Sequence, residues 1–293
     1  MSIFLTGDCH SDFRKLSKKN FPEGSGLSKQ DYMIVLGDFG VGPWGSAHNN
    51  NMKEWLYWLK WLETLPFTIL FVDGNHENHA ALDAMKVDAF LGGKVHFLSD
   101  HVIHLMRGQY YTIDGETFWT FGGGRTHDGF EGGILDREDR YFRQKRRRCE
   151  RDHLRYRVVN ESWWARELPE QDSPELDEGR KNLEAHGWKV DHILTHVAPS
   201  LLNPVCKERV VRMLMERRNV PSASTVPLSE QDLYDIHRTD ILTDYLQEIH
   251  DRCDFGDWYM GHYHHKADYE DGKIHVLYHD IVRLHRHTLN AAE

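Results

Sequence analysis

The chain has 293 residues, 40% of them apolar, with a formal charge of −10 at pH 7. This is ample for one substantial core, and the acidic balance repels phosphate backbones, which weighs against a protein built to clamp duplex nucleic acid. Cys9, Cys149, Cys206 and Cys253 form no CxxC pair, Ile3-Phe4-Leu5 is too short for a signal-peptide core, and no run approaches a membrane span, so a cytoplasmic chain with unpaired thiols and no membrane contact is expected.

In chain order, a strand is expected over 2–6, ending at Gly7-Asp8-Cys9-His10, and another over 32–36, ending at Gly37-Asp38. A helix is expected over 51–65, where Trp55, Trp58, Leu59 and Leu62 recur at i, i+3, i+4 and i+7. It lacks the lysine-rich polar face of an interfacial helix, so it should pack on the core. A third strand over 67–72 leads to Gly74-Asn75-His76-Glu77. Residues 110–112 and 117–121 flank Asp114-Gly115 as a hairpin, and 267–269 and 273–278 flank Asp271-Gly272 as a second. A strand over 192–194 ends at Thr195-His196. Gly261-His262-Tyr263-His264 is the one cluster without a strand-like run directly before it. Residues 219–231 read as an irregular loop.

Runs of aliphatic residues of this kind suit strands buried on both faces, and the alternation with helices implies a layered α/β fold with mixed sheets. A single domain over 1–293 is expected, interrupted at 128–187 by a helical insertion or cap with little strand signal. Within it, Arg143-Gln144-Lys145-Arg146-Arg147-Arg148 and then Arg151, Arg155 and Arg157 could form a positive wall for a polyanion. Acidic neighbours such as Glu150 and Asp152 favour a solvated helix with i,i+4 pairs instead. Trp163-Trp164 is expected to pack the insertion down rather than to stack on bases.

The polar clusters carry the chemistry. Asp8 and His10 are one residue apart, so on extended backbone both can reach one ion, and His262 and His264 repeat the spacing. Carboxylate oxygen with imidazole nitrogen suits Mn, Fe, Zn or Ni better than Ca or Mg. Two cations close together need an anionic bridge, which Asp38 can supply after a buried strand. Glycines before Asp8, Asp38, Asn75 and His262 fit tight backbone approach to a crowded site. Each motif alone is weak, since 21 histidines make chance pairs common; the ordered set at strand ends is what counts.

That set, GDxH, GD, GNHE, TH and GHxH from Asp8 to His264, resembles the calcineurin-like metallophosphoesterase superfamily. The resemblance implies two packed mixed β-sheets flanked by helices, a four-layer αββα fold. It also implies that Asp8, His10 and His264 bind one metal, that Asn75, His196 and His262 bind the other, and that Asp38 bridges them. His76 matches the histidine that protonates or stabilises the leaving oxygen, and Glu77 reads as a helix-start carboxylate that could also orient it. Manganese is the favoured metal. The expected activity is hydrolysis of phosphate esters by a metal-bridging hydroxide.

The substrate is less constrained. Protein phosphatases of the superfamily carry an arginine shortly after the second motif, whereas this chain reads Gly37-Asp38-Phe39-Gly40-Val41-Gly42-Pro43-Trp44. Arg125, after Gly122-Gly123-Gly124, is the first candidate to replace it. A phosphomonoesterase acting on a phosphorylated small molecule, a nucleotide or a phosphoprotein is the leading expectation. A phosphodiesterase or nuclease with the same metals is the nearest rival, with nucleic acid less favoured, and a non-catalytic scaffold is the third.

Overall fold

The computed structural model describes residues 1–42, 52–126, 132–220 and 223–286. The first eight strands are β1 (Ile3–Thr6), β2 (Tyr32–Leu36), β3 (Thr68–Val72), β4 (Val87–Phe90), β5 (Gly93–Ser99), β6 (Val102–Leu105), β7 (Gln109–Ile113) and β8 (Glu116–Phe121). They are followed by β9 (Ile134–Leu135), β10 (Arg157–Val158), β11 (Lys189–Thr195), β12 (Asp254–Met260), β13 (Ala267–Tyr269), β14 (Ile274–Val276) and β15 (Ile281–Arg283). The α-helices among the described residues are α1 (Met52–Glu63), α2 (His79–Asp83), α3 (Phe142–Arg151), α4 (Pro174–Ala185), α5 (Asn203–Arg217), α6 (Glu230–His237) and α7 (Ile241–Arg252). None is long and apolar enough to cross a membrane.

Two mixed sheets result. The first orders its seven strands β15-β1-β2-β3-β6-β5-β4, and the second orders six as β13-β14-β12-β11-β8-β7. In the first, β1, β2, β3 and β6 run parallel; in the second, β8, β11, β12 and β14 do. Antiparallel strands, including both expected hairpins, extend the edges.

Side-chain alternation stacks the layers. Tyr32, Ile34 and Leu36 of β2 enter a core shared with Phe118 of β8, Leu194 of β11 and Tyr259 of β12, so the two sheets meet face to face there. Met33 and Val35, pointing the other way, pack with Phe13, Phe39 and Leu62 of α1. On the far side of the second sheet, Trp119, Ile193 and Trp258 pack against Leu183 of α4 and Leu246 of α7. The order is helix, sheet, sheet, helix. Continuous apolar runs are the natural composition for strands covered on both faces.

Several expectations are met and others sharpened. Trp55, Trp58 and Leu59 pack partly buried on the same core as fully buried Leu62, so α1 is a packing helix. Residue 51, the first of its expected range, lies outside the described residues, as do 128–131 and 221–222. The stretch after 131 is helical at α3 and α4, yet it also holds β9 and β10, paired in parallel, which its charged composition hides. The arginine run forms α3, with Arg146–Glu150 and Arg148–Asp152 pairs at i,i+4 spacing, as the solvated-helix reading anticipates. Trp164 is buried. The final cluster does follow a strand: β12 runs directly into Gly261-His262.

Candidate metal centre

All five clusters sit beyond the carboxyl ends of parallel strands: Asp8 and His10 after β1, Asp38 after β2, Asn75 and His76 after β3, His196 after β11, His262 and His264 after β12. The two sheets are packed so that these ends share one crevice, the usual place for a site in parallel α/β sheets. The loops are locked to one another. Cys9 and His10 both donate their backbone N–H to the carbonyl of Asp38, at 2.9 and 2.7 Å. A Cβ on Gly74 would collide with the backbone nitrogen and Oδ1 of Asp38, and one on Gly261 with Oδ1 of Asp8. Only glycine fits at either place.

The extended-backbone argument for the two His pairs needs correction. His10, Asp38, His262 and His264 all adopt left-handed backbone, with φ of +49°, +45°, +70° and +52°. Such conformations cost about 1–3 kcal/mol each outside glycine and concentrate where a site over-determines them. Here they separate the HxH histidines: Nε2 of His264 lies 3.0 Å from Oδ2 of Asp8, whereas Nδ1 of His262 lies 3.2 Å from Nε2 of His196.

Three groups of donors converge: Asp8, His10 and His264; His10, Asp38 and His76; and Asp38, His196 and His262. Within each, the ligand atoms lie within 4.8 Å of one another. Asn75 joins the last, its Oδ1 3.3 Å from Nε2 of His196. Asp38 belongs to two groups. Its Oδ1 accepts the backbone N–H of His76 at 2.8 Å and faces His196 at 3.3 Å, and its Oδ2 faces His10 at 3.7 Å.

These His and Asp groups are able to hold metal ions. Asp8 is buried; its Oδ1 accepts the His262 N–H at 2.8 Å, and its Oδ2 lies 3.0 Å from Nε2 of His264 and 3.5 Å from Nε2 of His10. A buried carboxylate is costly unless donors or a cation complete it. His10 and His264 likewise aim Nε2 at each other 3.0 Å apart. Burial opposes the charge on Asp8, and the imidazoles of His10 and His264 outweigh it, holding the carboxyl below the ordinary range. Asp38 is also held low, mainly by His196 against its burial. The carboxylates, Asp38 first, push His196 up to about 9 against desolvation.

Surrounding contacts set the orientation of these ligands. Nδ1 of His196 donates to the carbonyl of Leu36 at 2.8 Å, which turns Nε2 toward the centre. The Asn75 amide donates to Oγ1 of Thr126 at 3.2 Å, and that hydroxyl donates to Glu167 at 2.6 Å. The relay points the Asn75 oxygen inward. Burial pushes Glu167 up to about 7.

Glu77 is not a helix-start carboxylate, because α2 begins at His79 with Asn78 as its cap. Fully buried, Glu77 accepts backbone N–H groups from Phe39, Gly40 and Val41 at 2.8, 3.0 and 2.6 Å, clamping the loop that holds Asp38. Burial, reinforced by the charge of Asp38, pushes it up to about 8. Asp73 anchors the next loop through a buried ion pair with Arg107, whose Nε donates at 2.8 Å.

Arg125 is held by Asp240, its Nε 3.2 Å from Oδ2, and lines a smaller cavity of about 230 Å³ that also reaches His262. The arginine that does reach the predicted cluster is Arg157. It is buried, and its Nη2 lies 3.0 Å from Nδ1 and 3.5 Å from Nε2 of His76. Sequence reasoning absorbed Arg157 into the arginine run; its place beyond the end of the helix, in the strand-like Tyr156-Arg157-Val158-Val159, was the available signal.

The molecule is therefore an α/β protein with two mixed sheets and buried His/Asp clusters able to hold metal ions. A scan of the chain against protein-family models gives no match, and a search of curated proteins gives none.

Proposed function

We propose that the chain is a binuclear-metal-dependent phosphoesterase of the calcineurin-like type, acting on phosphomonoesters. One observation carries this reading: three donor groups, Asp8 with His10 and His264, His10 with Asp38 and His76, and Asp38 with His196 and His262, run into one another through His10 and Asp38. Asp8, His10 and His264 would hold one ion, Asn75, His196 and His262 the other, with Asp38 common to both. The mixed oxygen and nitrogen donors favour manganese, with iron, zinc or nickel as alternatives. Bound there, such ions would supply an activated water and neutralise phosphoryl oxygens. His76, beside His10 and Asp38, would hand a proton to the leaving oxygen, with Arg157 against its ring.

A second reading, phosphodiester hydrolysis, draws on one feature. A cavity of about 520 Å³ lined by Trp55, Trp58 and Arg14 meets the centre at His10, His76 and Arg157, leaving room for a second ester group. Protein loaded with manganese and assayed on an aryl phosphomonoester, a bis-aryl phosphodiester and single-stranded DNA and RNA separates the two. Monoester hydrolysis at least tenfold faster is expected for the leading reading. Faster diester or nucleic-acid cleavage establishes the second. No hydrolysis at full metal occupancy removes both and leaves a binding scaffold.

A further inference from the structure

A second cavity, also of about 520 Å³, lies directly over the centre and is floored by His10, Asp38, Asn75, His76, His262 and His264. Ligand sites commonly fall in this range of volume. Its walls are uneven in charge: Arg155, Arg157 and Arg217 line it, and among the described residues Asp38 on the floor is its only carboxylate.

The arginines arrive from two directions. Arg157 is carried by β10, whose backbone is pinned to β9 as Arg157 N–H donates to Gly133 at 3.1 Å and Val159 N–H to Leu135 at 2.9 Å. The carbonyl of Arg155 accepts the Gly132 N–H at 2.8 Å, so its position is fixed by the same small sheet. Beneath lie Leu135, Phe142, Cys149 and Val158. Opposite, α5 presents Val210, Met213, Leu214 and Arg217 at i, i+3, i+4 and i+7, a single helix face, to the cavity. Arg155 and Arg217 are exposed, and neither forms an ion pair with a described residue.

Two divalent ions, His76 and the Arg157 beside it would serve one transferring phosphoryl group. The guanidinium groups of Arg155 and Arg217 around the same chamber exceed that need. Guanidinium is the side chain that best matches phosphate and carboxylate oxygens in paired hydrogen bonds.

We propose that Arg155 and Arg217, lining the chamber beside Arg157, form an anion subsite for a second acidic group of the substrate, so that the protein takes small polyanionic phosphate esters bearing a further phosphate or carboxylate. The apolar face of α5 would lie along the carbon skeleton between the two groups. This rests on the phosphoesterase reading and narrows its substrate class.

The test compares manganese-loaded protein on phenyl phosphate and phenylene bisphosphate, which differ by one phosphate group. A kcat/KM about tenfold or more higher for the bisphosphate is expected, with the preference shrinking as salt is added. The double variant Arg155→Ala/Arg217→Ala, both positions exposed, should bring the ratio to within about twofold of unity. Arg143→Ala, on exposed α3, should leave it as it is. As a readout independent of turnover, calorimetric affinity of metal-free protein for phenylene bisphosphonate should fall about tenfold in the double variant. Equal kcat/KM for the two esters in the unaltered protein, or a preference that survives the double variant, overturns the subsite while leaving the phosphoesterase standing. No turnover of either ester by protein holding two ions overturns the underlying reading instead.

Discussion

Nη2 of Arg157 lies 3.0 Å from Nδ1 of His76 across 81 positions of sequence. The same Nη2 is 3.5 Å from Nε2, so the guanidinium lies against the side of the ring, while Nε2 is 3.9 Å from Oδ2 of Asp38. A side chain from the small β9–β10 sheet thus packs against the ring of a histidine in the β3 loop, and the same guanidinium faces the chamber over the donor clusters.

Arg157→Ala should therefore lower kcat/KM on phosphomonoesters about 10²-fold, the scale of losing one preorganised donor to a developing charge. Metal content should not change, because Arg157 is not among the donors. Unaltered kinetics in a fully metallated variant would remove Arg157 from the reaction.

Asp38→Ala should abolish binding of both ions, because Asp38 is the carboxylate common to two donor groups. Elemental analysis of the purified variant decides it: two metals per chain would disprove the bridge. His76→Asn, by contrast, should keep both ions and slow turnover by about 10²-fold or more.

Thr126→Val breaks the chain from Glu167 through Thr126 to Asn75 without touching a proposed ligand. The freed amide can rotate its nitrogen inward, so affinity for the ion assigned to Asn75, His196 and His262 should drop about 10- to 100-fold, as for other residues that orient ligands. Titration with manganese should show one weakened and one near-normal site. Equal weakening of both would point to a general disturbance of the loop.

His79, fully buried with Nε2 unpartnered, is pushed down to about 3 from 6.5 by its burial and by the charge of Arg107. The unfolded chain then binds the proton more readily than the folded one, so stability is full above the unfolded value and is lost as pH falls toward the folded value. At about pH 5 the loss from this residue is on the order of 2 kcal/mol. Urea midpoints at about pH 7 and 5 should separate less in His79→Gln than in the unaltered protein. The same pH sensitivity in both would show that His79 does not carry it.

The parallel strands β1, β2, β3 and β11 were legible because burial on both faces demands unbroken apolar runs, and each stops at a polar cluster. Strand β12 escaped notice because Asp254, Gly256 and Asp257 interrupt its apolar pattern, where its first residues lie at or near the surface. Strands β4 to β6 were missed for a related reason. β4 is an edge strand with exposed and half-buried positions alternating, while β5 and β6 bury His96 and His104 against each other through a 3.1 Å contact that local sequence does not announce.

Sequence alone marked out the Asp and His residues that converge, because metal chemistry demands particular atoms and these stand out beside glycines at the ends of apolar runs. Packing decided how the donors are shared. Left-handed backbone at His262 and His264 sends two near neighbours into different groups, and stacking of the sheets brings His196 against Asp38. It likewise made Glu77 a clamp on the Asp38 loop and lifted Arg157 out of a charge run to the face of His76. Those relationships join residues far apart in the chain, and only the energy of burying both sheets together holds them within hydrogen-bond reach.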